Sequence, residues 1–372
     1  MAAVKLGSVA RECRQNWAGT VEGVPIVGLE HLIPEEITLS SWNSDTDNTF
    51  SKKFEKGQVL LGRRRVYLKK AAIAPFDGIC SGDITVIEAI PGKIAPELLP
   101  FIIQNDKFFD YAMQGSAGSL SPRVKWEHLK DYEFELPDIL EQRKLADKLW
   151  AAYRLKQSYK KMIEATDEMV KSRFIEMFGG IQNGTQWPIK KLSNLCYLIN
   201  GYAFKSSKYS NSGYSVIRIA NVQKGYIDDS DRVCYPFELK SEFEDSILRE
   251  GDILISLTGN VGRVGVVTKK LLPAALNQRV QGLRIKDEHV IDRGFLFNIL
   301  NLDDFESLCV ENSSGSAQLN LSTIWVREFP IICPSLDRQR EFSAFANQAD
   351  KSKFELKQAI EKIDKVMRSL LQ

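Results

Sequence analysis

Nine consecutive residues, Gly62-Arg63-Arg64-Arg65-Val66-Tyr67-Leu68-Lys69-Lys70, put five cations and an aromatic ring between two apolar runs. A guanidinium is a rigid fork of donors that fits phosphate oxygens or the O6/N7 edge of guanine, while an ammonium neutralises phosphate. A solvated charged hairpin is the alternative, but three adjacent arginines repel one another and rarely serve folding, so the run favours an anionic ligand. In the second half, Leu257–Gly265 spaces Gly259, Gly262 and Gly265 three apart around Asn260 and Arg263. No Lys-Ser/Thr follows, so this is not a nucleotide-phosphate loop. It fits a tight turn offering Asn260 and Arg263 to a DNA backbone or groove edge; for the glycines alone, a purely structural hairpin stands equally. Asn277-Gln278-Arg279-Val280-Gln281 and Ser313-Ser314-Gly315-Ser316-Ala317-Gln318-Leu319-Asn320 are amide-rich. Asn and Gln pair bidentately with adenine, and Ser and Gln commonly contact phosphate. The candidate DNA-binding set is therefore Arg63, Arg64, Arg65, Tyr67, Lys69, Lys70, Ser81 and Ser116 in the first half. In the second half it comprises Lys205, Arg218, Asn221, Asn260, Arg263, Asn277, Gln278, Arg279, Gln281, Ser314, Ser316, Gln318 and Asn320.

The residues of an enzyme are missing. No Asn/Asp-Pro-Pro-Tyr/Phe segment of an amino-methyltransferase occurs, and no Gly-x4-Gly-Lys-Ser/Thr of a nucleotide motor. Pro137-Asp138 with Glu141-Gln142-Arg143 faintly resembles a nuclease carboxylate set, but acids three apart at a helix start more simply favour the helix dipole. The six cysteines (Cys13, Cys80, Cys196, Cys234, Cys309, Cys333) form no Cys-x-x-Cys pair, which argues against zinc and suits buried, reduced thiols. His31, His128 and His289 lie far apart and read as structural. No catalytic residue and no metal site is expected. Apolar runs such as Ile253–Ile255 and Phe329–Cys333 are too short to span a bilayer, and the N-terminus lacks a signal-peptide core, so a cytoplasmic protein is expected. Net charge is only +2, and residues 1–136 hold 16 basic against 18 acidic side chains, so positive charge must be concentrated locally.

The elements that position these loops are written twice. Lys5-Leu6-Gly7-Ser8 returns as Lys191-Leu192-Ser193-Asn194, and Lys56-Gly57-Gln58-Val59-Leu60-Leu61 as Glu250-Gly251-Asp252-Ile253-Leu254-Ile255. Gly115-Ser116-Ala117 returns as Gly315-Ser316-Ala317. Pro137 and Pro334 are each followed five residues later by a Gln-Arg pair. In each copy a β-rich stretch of short runs and Gly, Asn, Asp and Pro turns leads into a long helix. From Asp138 to Phe178 there is no Pro or Gly, and apolar residues recur at three- and four-residue steps; the same holds from Ser335 to Gln372. Such spacing marks a narrow coiled-coil seam. Each helix would run roughly 55 Å, too long to bury its seam on one small module. The fold expected is α+β: two β-rich domains (1–137 and 181–334) in pseudo-two-fold repeat, each followed by a long helix (138–180 and 335–372). The helices form an antiparallel coiled coil; the alternative is that each folds back on its own domain. Off the seam, Trp150, Tyr153 and Phe354 are either partner platforms or packing at the rod ends.

With these residues in view, the chain resembles the DNA-specificity subunits of type I restriction–modification complexes over essentially its whole length. The resemblance rests on the paired modules and their Pro…Gln-Arg helix entries. In the second module it rests on Gly251–Ile255, Leu276–Val280 and Gly315–Ser322; in the first, on Val27–His31, Gly62–Arg65 and Phe76–Ser81. It implies that each module reads one half of a split, asymmetric double-stranded DNA site and that the helices set the gap between the halves. It further implies two methyltransferase subunits docked mainly on the helices, and motor–nuclease subunits that join for restriction. S-adenosylmethionine, ATP and Mg would be used by those partners, with no cofactor held by this chain. Gly115–Pro122 departs from the amide-rich pattern of the second copy, as expected if the copies read different bases. A coiled-coil scaffold without a DNA role, or service in a methylation-only complex, are the competing readings.

Overall fold

The computed structural model describes residues 2–44, 48–116, 122–181, 186–315 and 318–371. The chain divides into two compact units, Met1–Lys160 with Lys357–Gln372, and Lys161–Leu356, so the division falls inside both long helices, Ile139–Phe178 and Leu336–Leu370.

In the first unit, an antiparallel four-stranded sheet runs in the order Ala10–Cys13, Ile84–Ala89, Val59–Gly62, Ala71–Ile73. The second unit repeats it with Cys196–Asn200, Val280–Ile285, Ile253–Ser256 and Val264–Val266. Val59–Gly62 and Ile253–Ser256 are buried at every position because both of their faces are covered. Val59 and Leu61 enter one core and Leu60 another; Ile253 and Ile255 likewise part from Leu254, as the two-residue period of a strand requires. Gly57 and Gly251 precede these strands at φ 89° and 86° and donate to Ala74 and Val267 carbonyls at 2.8 Å. That left-handed turn is open to glycine at little steric cost.

Each unit also has a three-stranded sheet, and here the copies differ. The parallel pair Ile26–Val27/Gly78–Cys80 matches Tyr214–Ile217/Ala274–Leu276. The third strand, Lys52–Phe54, lies beside Gly78–Cys80 in the first copy, whereas Cys234–Tyr235 lies beside Tyr214–Ile217 in the second. It thus adds to opposite edges of the conserved pair.

A third repeated feature joins module to helix. Asp138 caps the first long helix, its Oδ1 accepting from the Leu140 and Glu141 amides at 3.0 and 3.1 Å; it is a cap and not part of a nuclease set. Gln142, 2% exposed, accepts from the Ala95 amide and donates to the Pro137 carbonyl, both at 2.8 Å. Gln339, fully buried, accepts from the Asp292 amide and donates to the Pro334 carbonyl, both at 2.8 Å. The Gln of each Gln-Arg pair is a buried clamp holding the strand end and an earlier loop to the helix.

Within each unit the helices run antiparallel. In the first, Leu149 and Tyr153 pack in one core with Ile363 and Met367, and Lys156 bonds Asp364 at 2.7 Å. In the second, Phe174 meets Phe342 with ring centroids 5.5 Å apart, Lys353 bonds Asp167 at 2.6 Å, and Arg173 bonds Glu341 at 3.2 Å. Trp150 donates to the Glu97 carbonyl at 2.9 Å, and the Tyr153 hydroxyl donates to Glu36 at 3.0 Å, so both pack the first module on its helix. Phe354 is exposed.

Replacing Gln339 with Ala strands the Asp292 amide and the Pro334 carbonyl, and is expected to destabilise the protein by about 1–3 kcal/mol. Urea unfolding followed by circular dichroism measures this; an unchanged midpoint would remove the clamp from the account.

Candidate nucleic-acid interface

In the second module, four segments are tied together by their backbones. The Ser256 hydroxyl closes the Leu257–Arg263 turn by donating to the Asn260 carbonyl and accepting from the Arg263 amide at 3.0 Å. Gly259 and Gly262 take φ 72° and 79°. The Leu257 amide donates to the Arg279 carbonyl at 3.0 Å, and the Leu257 carbonyl accepts from Leu321 at 2.8 Å. Gly259 donates to Leu319 at 2.8 Å and Gln278 to Tyr202 at 3.1 Å. The exposed side chains on these joined segments are Asn260, Gln278, Arg279, Ser314, Gln318 and Asn320, with Lys205 three residues beyond Tyr202. Ser316 lies outside the described residues.

Five candidates have their groups bound within the module. Asn221 is 5% exposed, accepts from the Arg218 amide at 2.8 Å and donates to the Asp228 carbonyl at 2.9 Å. Gln281 is 1% exposed and donates to the Ile199 and Gly282 carbonyls. Both shape the core and are withdrawn as base readers. Arg218 bonds Asp231 at 2.8 Å and Arg263 bonds Gln223 at 2.7 Å, which orients each arginine at the half-buried margin. Asn277 accepts from the Arg279 amide at 3.2 Å, setting its own turn.

The first module builds the same frame from different side chains. The Arg63 amide donates to the Asp83 carbonyl and the Arg63 carbonyl accepts from Val124, both at 2.9 Å; Arg65 donates to Pro122 at 3.0 Å. Arg64 and Arg123 form a bridge, as Thr258 and Asn320 do in the second copy. Arg63, Asp83, Arg123 and Val124 thus stand where Leu257, Arg279, Asn320 and Leu321 stand. Ser81 accepts from the Asp83 amide at 3.2 Å, the counterpart of Asn277.

The arginines are not held by repulsion alone. The Asp83 carboxylate takes Arg123 through Nε at 2.8 Å and Nη2 at 3.2 Å, with Arg63 Nε at 3.9 Å and Arg64 Nη1 at 3.7 Å. The Arg123 hydrogen bond, against some burial, holds its pKa below the usual aspartate value. Lys69 pairs with Asp106, and Lys70 donates to the Leu29 carbonyl at 2.7 Å. Arg65, at φ 53°, and Tyr67 stand exposed on either side of buried Val66. Ser116 is half-buried at the end of the Asp106–Gln114 helix. Asp83 and Arg123 were missed from sequence; Arg123 occupies the place of Asn320 once the Gly-Ser-Ala repeats are aligned and the intervening lengths allowed for.

No group of three or more His, Cys, Asp or Glu residues suited to a metal occurs among the described residues. His31 accepts from the Gly28 amide at 2.9 Å and His128 stacks on Tyr111, both structural arrangements. Burial pushes the thiols of Cys80, Cys196 and Cys309 up to about 12, which keeps them protonated. No described helix is long and apolar enough to cross a membrane.

Residues 185–365 match the model of the type I restriction modification DNA specificity domain. The chain is 23% identical over 368 residues to the type I restriction enzyme MjaVIII specificity subunit of Methanocaldococcus jannaschii, covering 94% of this chain and 81% of that protein. It is 30% identical over 162 residues to the EcoAI specificity subunit of Escherichia coli, a match spanning 42% of this chain but only 27% of that protein. Among solved structures, the type I restriction–modification S subunit of M. genitalium shares its fold over 100% of this chain and 94% of that one, with TM-score 0.58 at 13% identity. The chain is thus similar, over most of its length, to DNA specificity subunits of type I restriction enzymes, and it shares the fold of a solved S subunit.

Because the folded pKa of Asp83 lies below its unfolded value, its contribution to stability is present above pH 3.8, the ordinary value, and is lost as pH falls through the folded one. Asp83→Asn is therefore expected to destabilise the protein at pH 7, with the deficit shrinking towards pH 3 in paired urea titrations. A deficit independent of pH would contradict the arginine–carboxylate account.

Proposed function

We propose that the two modules read the two halves of a bipartite, asymmetric double-stranded DNA site, and that the paired helices set the gap between them. The observation that carries this reading is the repeated frame: the same backbone bonds present Arg63–Arg65 with Arg123 in one copy and Leu257–Asn260 with Gln278, Arg279 and Asn320 in the other. Like frames with unlike donors suit two grooves with unlike bases, since base edges carry sequence and phosphate contacts carry register. Arg65, Tyr67 and Lys205 are assigned to the phosphate backbone, where they supply salt-sensitive affinity.

The chain itself is non-catalytic in this proposal and holds no cofactor. Two methyltransferase subunits dock on the helices, where Leu155, Met162, Met169 and Phe354 leave apolar surface exposed, and use S-adenosylmethionine to methylate adenine. Motor–nuclease subunits with ATP and Mg join for restriction, and the complex works in the cytoplasm.

Co-expression with the methyltransferase followed by genome-wide mapping of N6-methyladenine tests this directly. The expected outcome is a split motif, with Gln278→Ala plus Arg279→Ala degrading one half only. Methylation at an undivided motif, or equal damage to both halves, would overturn it.

A further inference from the structure

Residues 64 and 123 in the first module, and 258 and 320 in the second, are one backbone slot carrying two chemistries. The second presents an amide, Asn320. The first presents a guanidinium, Arg123, whose side chain is half-exposed while the Asp83 carboxylate beneath it is 17% exposed. A guanidinium has five N–H donors. The bond to Asp83 uses Nε–H and one Nη2–H, so the Nη1/Nη2 end faces outward as a second, ready-made fork.

Two acceptors match that end: a phosphate or the O6/N7 edge of guanine. The carboxylate decides between them. It fixes the plane of the guanidinium in advance, which bidentate reading of a base edge requires, whereas a phosphate in this locally positive cluster is met from many angles and gains little from a fixed fork.

We propose that Arg123, held by Asp83, reads a guanine in the half-site met by the first module. The inference rests on the two-headed reading above and names the base that one head recognises. Asp83 is a positioning residue: it fixes the fork without meeting the DNA. Asn320, in the matching slot, suits adenine by the same geometric rule, so the two copies differ in base preference at one equivalent place.

The test is methylation mapping of the complete methyltransferase complex carrying the wild-type chain, Arg123→Gln, Arg123→Lys or Asp83→Asn. The wild type is expected to require a G·C pair in one half, and Arg123→Gln to reduce discrimination at that pair alone by about tenfold or more. Arg123→Lys, which keeps the charge and loses the fork, should not restore it. Asp83→Asn should leave methylation in place while weakening preference at the same pair. Unchanged preference in Arg123→Gln, or loss at every sequence alike with rescue by Arg123→Lys, overturns the inference and leaves the two-headed reading standing. If Arg123→Gln abolishes methylation, Arg123→Lys decides: a retained motif with relaxed G·C supports the inference, and a motif as strict as wild type overturns it. Absence of any split motif in the wild type defeats the two-headed reading and this inference with it.

Discussion

A buried glutamine side chain fixes the junction on which each half of this protein depends. Gln142 and Gln339 sit in the first turn of a long helix with their amides out of water, and each reaches both the carbonyl of the proline that ends the preceding strand and an amide in an earlier loop. A buried amide left without partners costs more than a made hydrogen bond contributes, so this geometry has little freedom to drift. It sets where the helix begins relative to the closing strand, Glu133–Leu136 in one copy and Pro330–Ile332 in the other. Through those strands it sets the place of the sheets, and through the sheets the loops that carry the donors.

Upon that frame the two copies have diverged where divergence is tolerated. The central strands keep their alternation between two cores, and the left-handed glycines keep their turns. The slots on the joined loops change freely: Thr258 against Arg64, Asn320 against Arg123, Arg279 against Asp83. This also explains how a chain of near-neutral charge carries basic patches. In the first module a single carboxylate, Asp83, collects three guanidinium groups and leaves a local positive excess, although the module as a whole holds more acids than bases.

Much of the architecture was legible in the sequence because it rests on period and repetition. The long helices show three- and four-residue apolar steps uninterrupted by Pro or Gly, and the Pro…Gln-Arg spacing marks both helix entries. The site was legible only in part. Asn221 and Gln281 look like surface amides in a polar stretch, yet their own backbone surroundings claim them, a fact that depends on partners as distant as Ile199. Asp83 and Arg123 are forty residues apart and meet only when two loops are stitched together. The arginine run was visible; the acid that orders it was not. The opposite edges taken by Lys52–Phe54 and Cys234–Tyr235 have no counterpart in the repeat pattern, because short strands of two or three residues carry too little period to assign a side.

The central claim is that equivalent tips on the two modules meet separate halves of one DNA site. Photo-crosslinking addresses it most directly: a photoreactive residue placed at Tyr67 or at Asn260, in the methyltransferase complex bound to a duplex bearing its mapped motif. The account predicts that the two positions label different halves of the motif, with the gap unlabelled. Labelling of the same half from both positions, or no labelling of the motif from either, would contradict it.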